Sequence, residues 1–424
     1  MSWFNFRSKN KQNPAKGITG YAEQDNSGMW LQYFNQLAAL SNGELVKFSP
    51  ENAYRLACSI AEIFIPIDAI ADRCASVNYV LKYTKTGEIY EPTGNLKRLM
   101  EKPNPFDNLS DIVYKLVFTE LSDGNSYAYT KTPKSIVNPT IDNISNIWVL
   151  DPETTKPILF REIPNPFLIT KKEELIEYYK TFFFINHQIP PRYILHRTVL
   201  GVGNNCKGAS PLSRVEMNIN NILAVYQARY NVYAKNGNGG ILSKAPSAQN
   251  NNLQEAIDPA TRDEILKDLT DRNGLTGNKN FIGLSSVPLQ FIKTLGTIQE
   301  LQPFDETLEN AIKIAGAFGV NKELIPKKDN STFANQREAE LSLWQNVVKS
   351  YAMDKAKDLT KIYYLPDGVE FEADFSAIEI LQEDKKTSYE SDGLLIDNLD
   401  KLKANGIDVN NAYSNLKDKY NGKK

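Results

Sequence analysis

The chain has 424 residues, 41% of them hydrophobic and 24% charged, with a formal net charge of −2. This is the composition of ordinary globular domains. It excludes a protein whose whole surface clings to nucleic acid, because such binding needs clustered Lys and Arg to displace counterions.

Residues 1–28 are polar, rich in Asn, Lys, Gly and Ser, and read as a flexible arm. They contain basic residues but no apolar h-region, so they are not a secretory signal. Glu51–Val77 carries apolar residues at helical spacing, among them Ile60, Ile63, Phe64, Ile67, Ile70 and Ala71, with Pro66 placed to kink or split the helix. Cys58 and Cys74 on this stretch read as small core residues. With Cys206 they form neither a disulfide framework nor a CxxC metal pair, which fits a reducing compartment. No run reaches the roughly 18 apolar residues of a membrane span.

"NYVLKYTKTGEIYEP" alternates around a Thr-Gly turn and predicts a hairpin. "NPFDNLSDIVYKLVFTELSDGNSYAYTKTP" predicts a helix then a strand, with Asp107 or Asn108 as N-cap and Gly124 as the stop. "NISNIWVLDPETTKPIL" predicts a further strand, and residues 158–200 several more. The first ~205 residues therefore read as one α+β unit.

Ser210–Lys235 then reads as a single long amphipathic helix, with Pro211 in its first turn. Val215, Ile219, Ile222, Leu223, Tyr226, Tyr230 and Tyr233 share one face. Asn218, Asn220, Asn221, Gln227, Arg229 and Asn231 make the other, polar but mostly uncharged. At ~1.5 Å per residue the helix would be about 39 Å long. It ends in "NGNGG", which supplies the positive-φ positions that reverse the chain.

Residues 241–295 read as a compact α/β insert: a strand at Gly240–Lys244, a helix at Pro259–Asp271, and strands in "NFIGLS" and "PLQFIKTL". The chain then re-enters a helix, Asp305–Phe318, with Leu308, Ala311, Ile312, Ala315 and Phe318 on one stripe. The insert thus sits like a head on a two-helix stalk. After the loop "GVNKELIPKKDNSTFAN", Ser331 or Thr332 starts another long helix. A strand pair in "GVEFEADFS" and a charged helical tail, Leu381–Tyr420, close the chain.

Motifs for chemistry are lacking. There is no G-x-x-x-x-G-K-[ST] phosphate loop and no GxSxG nucleophile elbow. "GVGNNCKG" has Cys206 where a dinucleotide fingerprint needs its third Gly. The two histidines, His187 and His196, lack partners at metal-ligand spacing, and His196 in "YILH" reads as a structural strand-end residue. No catalytic residue, metal site or cofactor is expected.

Several segments together resemble the HK97-like family of tailed-bacteriophage portal proteins. "YRLACSIAEIFIPIDAIADRCASV" resembles its first wing helix, and "NPFDNLSDIVYKLVFTELSDGNSYAY" its NP-helix-GNAY segment, with Ser126 in place of Ala. "WVLDPET", "YILH" followed by "GASPLSRVEMNI", "NGNGGIL", "IAGAFGVNKELI" and "NSTFANQREAELSLW" follow in the family's order and spacing. Asn321 departs from the family's usual Pro.

The resemblance implies an α+β portal fold. Its parts would be a flexible arm (1–28), a wing (29–209 and 335–376), two stem helices (210–236 and 297–320), a clip (237–296), a tunnel loop (321–334) and a helical crown (377–424). It implies a homo-oligomeric ring, usually of twelve, at one capsid vertex. The ring would be the channel through which double-stranded DNA is packaged and ejected. Partners would be the terminase large subunit, the major capsid protein and head-tail adaptor proteins, with no membrane; the place would be the virion, and the host cytoplasm during assembly. On that reading Lys327, Lys328 and Asn330 of the tunnel loop line the channel, as do the acids Glu300, Asp305, Glu306 and Glu309. Repeated around a ring, those acids would repel phosphate and let DNA slide, whereas a basic lining would hold it. Tyr226, Tyr230 and Tyr233 are candidates for the subunit interface. Two other functions stay open: a head-tail connector ring, which would be expected to lack the stalk-and-head layout, and a DNA-processing enzyme, which would need a metal-binding carboxylate cluster.

Overall fold

The computed structural model describes residues 47–133, 136, 138–161, 172–183, 185–199, 206–234, 240–244, 258–260, 262–263, 267, 289–293, 303–326 and 332–382. In chain order the elements are α1 (Ala53–Ser59), α2 (Ala61–Ala75), β1 (Asn78–Tyr83), α3 (Gly94–Glu101), α4 (Leu109–Asp123) and β2 (Asn125–Lys131). Then follow β3 (Asn146–Leu150), β4 (Lys156–Leu159), β5 (Ile176–Phe183), β6 (Ile185–Ile189), β7 (Ile194–Thr198), α5 (Glu216–Ala234), β8 (Gly240–Lys244) and β9 (Leu289–Lys293). Helices α6 (Pro303–Ala317), α7 (Phe333–Leu343) and α8 (Lys349–Ile362) and strand β10 (Val369–Asp374) complete the order. Among the described residues no helix is long and apolar enough to cross a membrane.

The chain divides into two compact units. The first comprises Met1–Phe64, Phe182–His187 and Ser210–Ala317. Here α5 packs along α6. The expected helix from Ser210 is two elements: a 3-10 turn, Pro211–Val215, then the α-helix from Glu216. Ser210 caps the turn, its hydroxyl accepting from Leu212 N. Ile219, Ile222 and Leu223 are buried, as their spacing predicts. The expected polar face of α5 does not simply face water. Asn218 donates to Asn310 Oδ1 at 2.8 Å, Asn220 accepts from Phe48 N at 2.7 Å, and Gln227 is buried. Strands β8 and β9 pair antiparallel, Gly240 with Lys293 through Lys244 with Leu289. The predicted strand "NFIGLS" and most of the helix 259–271 lie outside the described residues.

The second unit comprises Ile65–Thr181, Gln188–Ala209 and Phe318–Lys424. Its centre is the antiparallel sheet β3-β2-β7, with α4 and α8 packed on it. Helix α4 begins as its sequence demands. Asn108 Oδ1 accepts from Asp111 N, Asp111 reaches back to Asn108 N, and Gly124 ends the helix at φ 81°. Helices α7 and α8 run on through a π-helical turn, Trp344–Val348. Thr332 caps α7, its Oγ1 accepting from Asn335 N at 3.4 Å.

Four expectations are corrected. Glu51–Val77 breaks at Ile60, whose backbone is extended, while Pro66 lies inside α2. Proline removes the bond to the carbonyl four residues back and crowds that carbonyl, yet α2 continues through it. Cys58 is exposed; Cys74 is buried, and burial pushes its thiol up to about 12. The predicted hairpin after Val77 is reduced to a single bridge, Lys82 with Ile89, and the main partner of β1 is β10. "GVEFEADFS" accordingly supplies one strand, its partner lying far back in the chain rather than next door.

A charged cluster binds α4, β7 and α8 together. Lys355, fully buried, donates to Glu120 and, at 2.9 Å, to Asp358. Arg197 reaches Asp358 at 3.1 Å, Glu120 at 3.3 Å and Asp354 at 2.6 Å. Every buried charge here meets an opposite one, the condition under which such burial is tolerated.

Candidate functional site

The face of α6 that meets α5 is set by polar residues as much as by apolar ones. Thr307 accepts from Arg229 Nη2 at 3.4 Å, and Asn310 accepts from Asn218 while donating to the Glu306 carbonyl. With Ala311, Ile314 and Ala315 they form the buried side. The stripe is therefore rotated from the expected one, and Leu308 and Ile312 are only half-buried. Asparagine and threonine can occupy such positions because each finds a partner across the helix pair.

This rotation leaves Asp305, Glu306 and Glu309 together on the exposed side. Lys313 is the one cation among them on α6, 4.0 Å from Glu309, with both side chains largely in water. A pair so exposed neutralises little of the field. Asp305 and Glu306 sit in the first helical turn, where the helix dipole favours carboxylates. Glu300, Lys327, Lys328 and Asn330 lie outside the described residues.

Of the three tyrosines expected at a subunit interface, Tyr226 is half-buried and its hydroxyl donates to Glu62 Oε1. Burial, and then that carboxylate, drive its pKa upward. The side chains of Tyr230 and Tyr233 lie outside what is described.

Three of the sequence signatures meet at one place in the second unit. Asn125 of "GNSYAY" accepts from Gly208 N of "GASPL" at 2.6 Å and joins His196 Nε2 of "YILH" at 3.0 Å. Its amide nitrogen donates to Asp123 Oδ2 at 2.7 Å and to the Gly208 carbonyl at 3.2 Å. His196 Nδ1 meets the Tyr179 hydroxyl at 3.1 Å, and its ring stacks on Tyr127 with centroids 4.2 Å apart. Burial raises the Asp123 pKa, against the opposing pull of Asn125 and Lys207. At Gly208 an added Cβ would lie 2.2 Å from the Gly124 carbonyl oxygen, so only glycine fits. His196 is structural, as expected, but lies mid-strand in β7. The segments were legible as separate motifs; that they converge was not, because nothing local encodes their contact. The cluster has no metal-like geometry, and among the described residues no group of His, Cys, Asp and Glu could hold a metal ion.

Comparisons with known proteins agree with this architecture. The family model described as phage portal protein matches residues 61–398. Among curated proteins, none matches the chain. Of solved structures, the neck of a native gene transfer agent (GTA) particle computed with C12 symmetry is 16% identical, with a TM-score of 0.54 over 84% of this chain and 93% of that one. The virion of a native GTA particle gives 16%, 0.55, 85% and 94%. An HK97 family phage portal protein from Corynebacterium diphtheriae gives 13%, 0.50, 78% and 98%. These likenesses establish a shared fold. With a family match across most of its length, the chain belongs to the phage portal proteins, a structural family and not an enzymatic one.

Proposed function

We propose that copies of this chain close into a ring of about twelve at one capsid vertex, the channel for DNA packaging and ejection and the dock for terminase, capsid shell and tail adaptors. The observation that carries the reading is the family match over residues 61–398. The C12 symmetry of the similar neck supports the subunit number. The ring belongs in the virion, after assembly in the host cytoplasm.

Within each subunit, α5 and α6 are the stem (210–236 and 297–320), and residues 237–296 are the clip. The side-by-side packing of the helices supports the first assignment. The β8–β9 pairing supports the second, since it brings the two ends of the insert together. Residues 29–209 and 335–376 are the wing, 321–334 the tunnel loop, 377–424 the crown and 1–28 an arm. Asp305, Glu306 and Glu309, with Glu300, face the channel as a repulsive wall, and their shared exposure supports that role. Lys327, Lys328 and Asn330 are the loop's contacts with phosphate. Tyr230 and Tyr233 serve the interface between subunits, whereas Tyr226 is engaged within its own chain by Glu62.

Native mass spectrometry with negative-stain imaging tests the reading. A closed ring near twelvefold with a central hole is expected; a compact dimer without a hole would overturn it.

A further inference from the structure

Helix α8 turns its buried face to the charged cluster around Lys355. Its outer face carries a different arrangement. Lys349, Met353, Lys357 and Lys361 recur every fourth residue, and all four are exposed. Met353 is 47% exposed, and the Lys357 side chain 72%. Steps of four residues advance about 6 Å along a helix and about 40° around it. The stripe therefore runs diagonally for about 18 Å.

A further cation lies beyond the helix. Tyr364 adopts φ 46°, the one positive-φ residue other than glycine among those described. Its hydroxyl donates to the backbone carbonyl of Arg192, whose exposed guanidinium lies 4.9 Å from the Tyr193 ring centroid. A fourth cation thus lies near the C-terminal end of α8.

Lys349, Lys361 and Arg192 form no ion pair with a described carboxylate. Lys357 approaches Asp354 at 3.3 Å, but Asp354 is held closer, at 2.6 Å, by Arg197. In a chain of net charge −2 this is a local concentration of positive charge.

We propose that the Lys349–Lys357–Lys361 stripe, extended by Arg192, is a docking face for the phosphate backbone of double-stranded DNA, separate from the stem acids and the tunnel loop. The inference rests on the portal reading for its choice of DNA. The form of the stripe favours the same partner. Several cations along one helix face suit a polyanion, and duplex DNA carries one charge per ~1.7 Å of axis. Lysines that contact phosphate position a duplex without reading its sequence.

Fluorescence anisotropy of a labelled 30-base-pair duplex, titrated with the full chain across a salt series, tests this. The variant is K349Q/K357Q/K361Q; its residues are exposed, and a thermal melt checks folding. Loss of three phosphate contacts should reduce the slope of log K against log salt by about 2.7. K327Q/K328Q, combined with the triple change, should add its own decrement. A slope unchanged in the triple variant overturns the proposal. So does a triple variant that loses binding to polyglutamate while keeping DNA binding, which would assign the stripe to an acidic protein. Ring closure is read separately by native mass spectrometry, so a failure of the portal reading is seen there and not in the slope.

Discussion

His196 Nε2 lies 3.0 Å from Asn125 Oδ1, and that oxygen also accepts from Gly208 N. A backbone N–H can only donate, so the Asn125 amide has one possible orientation. His196 must therefore carry its proton on Nε2, and the Tyr179 hydroxyl donates to Nδ1. The chain has two histidines, so a sample labelled with nitrogen-15 in histidine alone can be read by solid-state NMR. The signal lost in His196→Gln should show the Nε2–H tautomer. A neutral ring with its proton on Nδ1 alone would contradict the assignment.

Gly208→Ala should be poorly tolerated. The new methyl would meet the Gly124 oxygen at 2.2 Å and the Val199 oxygen at 2.8 Å, both backbone atoms that cannot swing aside. A loss of about 3 kcal/mol is expected, since overpacking at an unyielding site falls at the upper end of its range. Denaturant unfolding measures it.

Lys355→Met should cost about 3–5 kcal/mol, because it leaves Glu120 and Asp358 buried with less positive charge beside them. Adding Glu120→Gln should recover part of the loss. A double-mutant cycle reads the recovery as a coupling energy between the two positions; strict additivity would show that the pair does not act as one.

Asp354 sets a pH dependence with a definite sign. Burial works to raise its pKa, but Arg197 and Lys357 outweigh it and hold the folded carboxyl below its usual value. The stability it lends is fully present above the ordinary carboxylate range and is lost as pH falls through the lowered folded pKa. Asp354→Asn should therefore flatten the acid limb of a stability–pH curve, below roughly pH 4, and leave its neutral region nearly parallel to the parent's.

Asp305→Asn, Glu306→Gln and Glu309→Gln together should change stability little, since all three side chains lie at the surface. Their effect should fall on DNA. Removing the repulsion should tighten duplex binding by the assembled ring and steepen its salt dependence. Weaker binding would mean that these acids do not face the passing duplex.

How much the sequence reveals depends on how local the cause is. The cap at Asn108, the stop at Gly124 and the apolar face through Ile219, Ile222 and Leu223 were readable because neighbours in the chain create them. The burial of Thr307 and Asn310 was not readable, because it depends on Arg229 and Asn218, some 80 to 90 positions away. The acids of α6 became candidates through the family resemblance, and their common exposure needed the packing of α5 to emerge. The lysines of α8 were passed over, since a lysine every fourth residue looks like any wetted helix until its neighbouring acid is seen held by Arg197.

The pairing of Asn78 with Asp374 has a consequence for how the protein is made. Strand β1 leaves the ribosome early, yet its main partner is among the last strands to appear. At ~5–20 residues per second the wait is on the order of tens of seconds. The exposed ladder of β1 must stay unclaimed for that time. Newborn chains should thus be most prone to mispair with each other before β10 emerges, and truncation upstream of Val369 should yield aggregates.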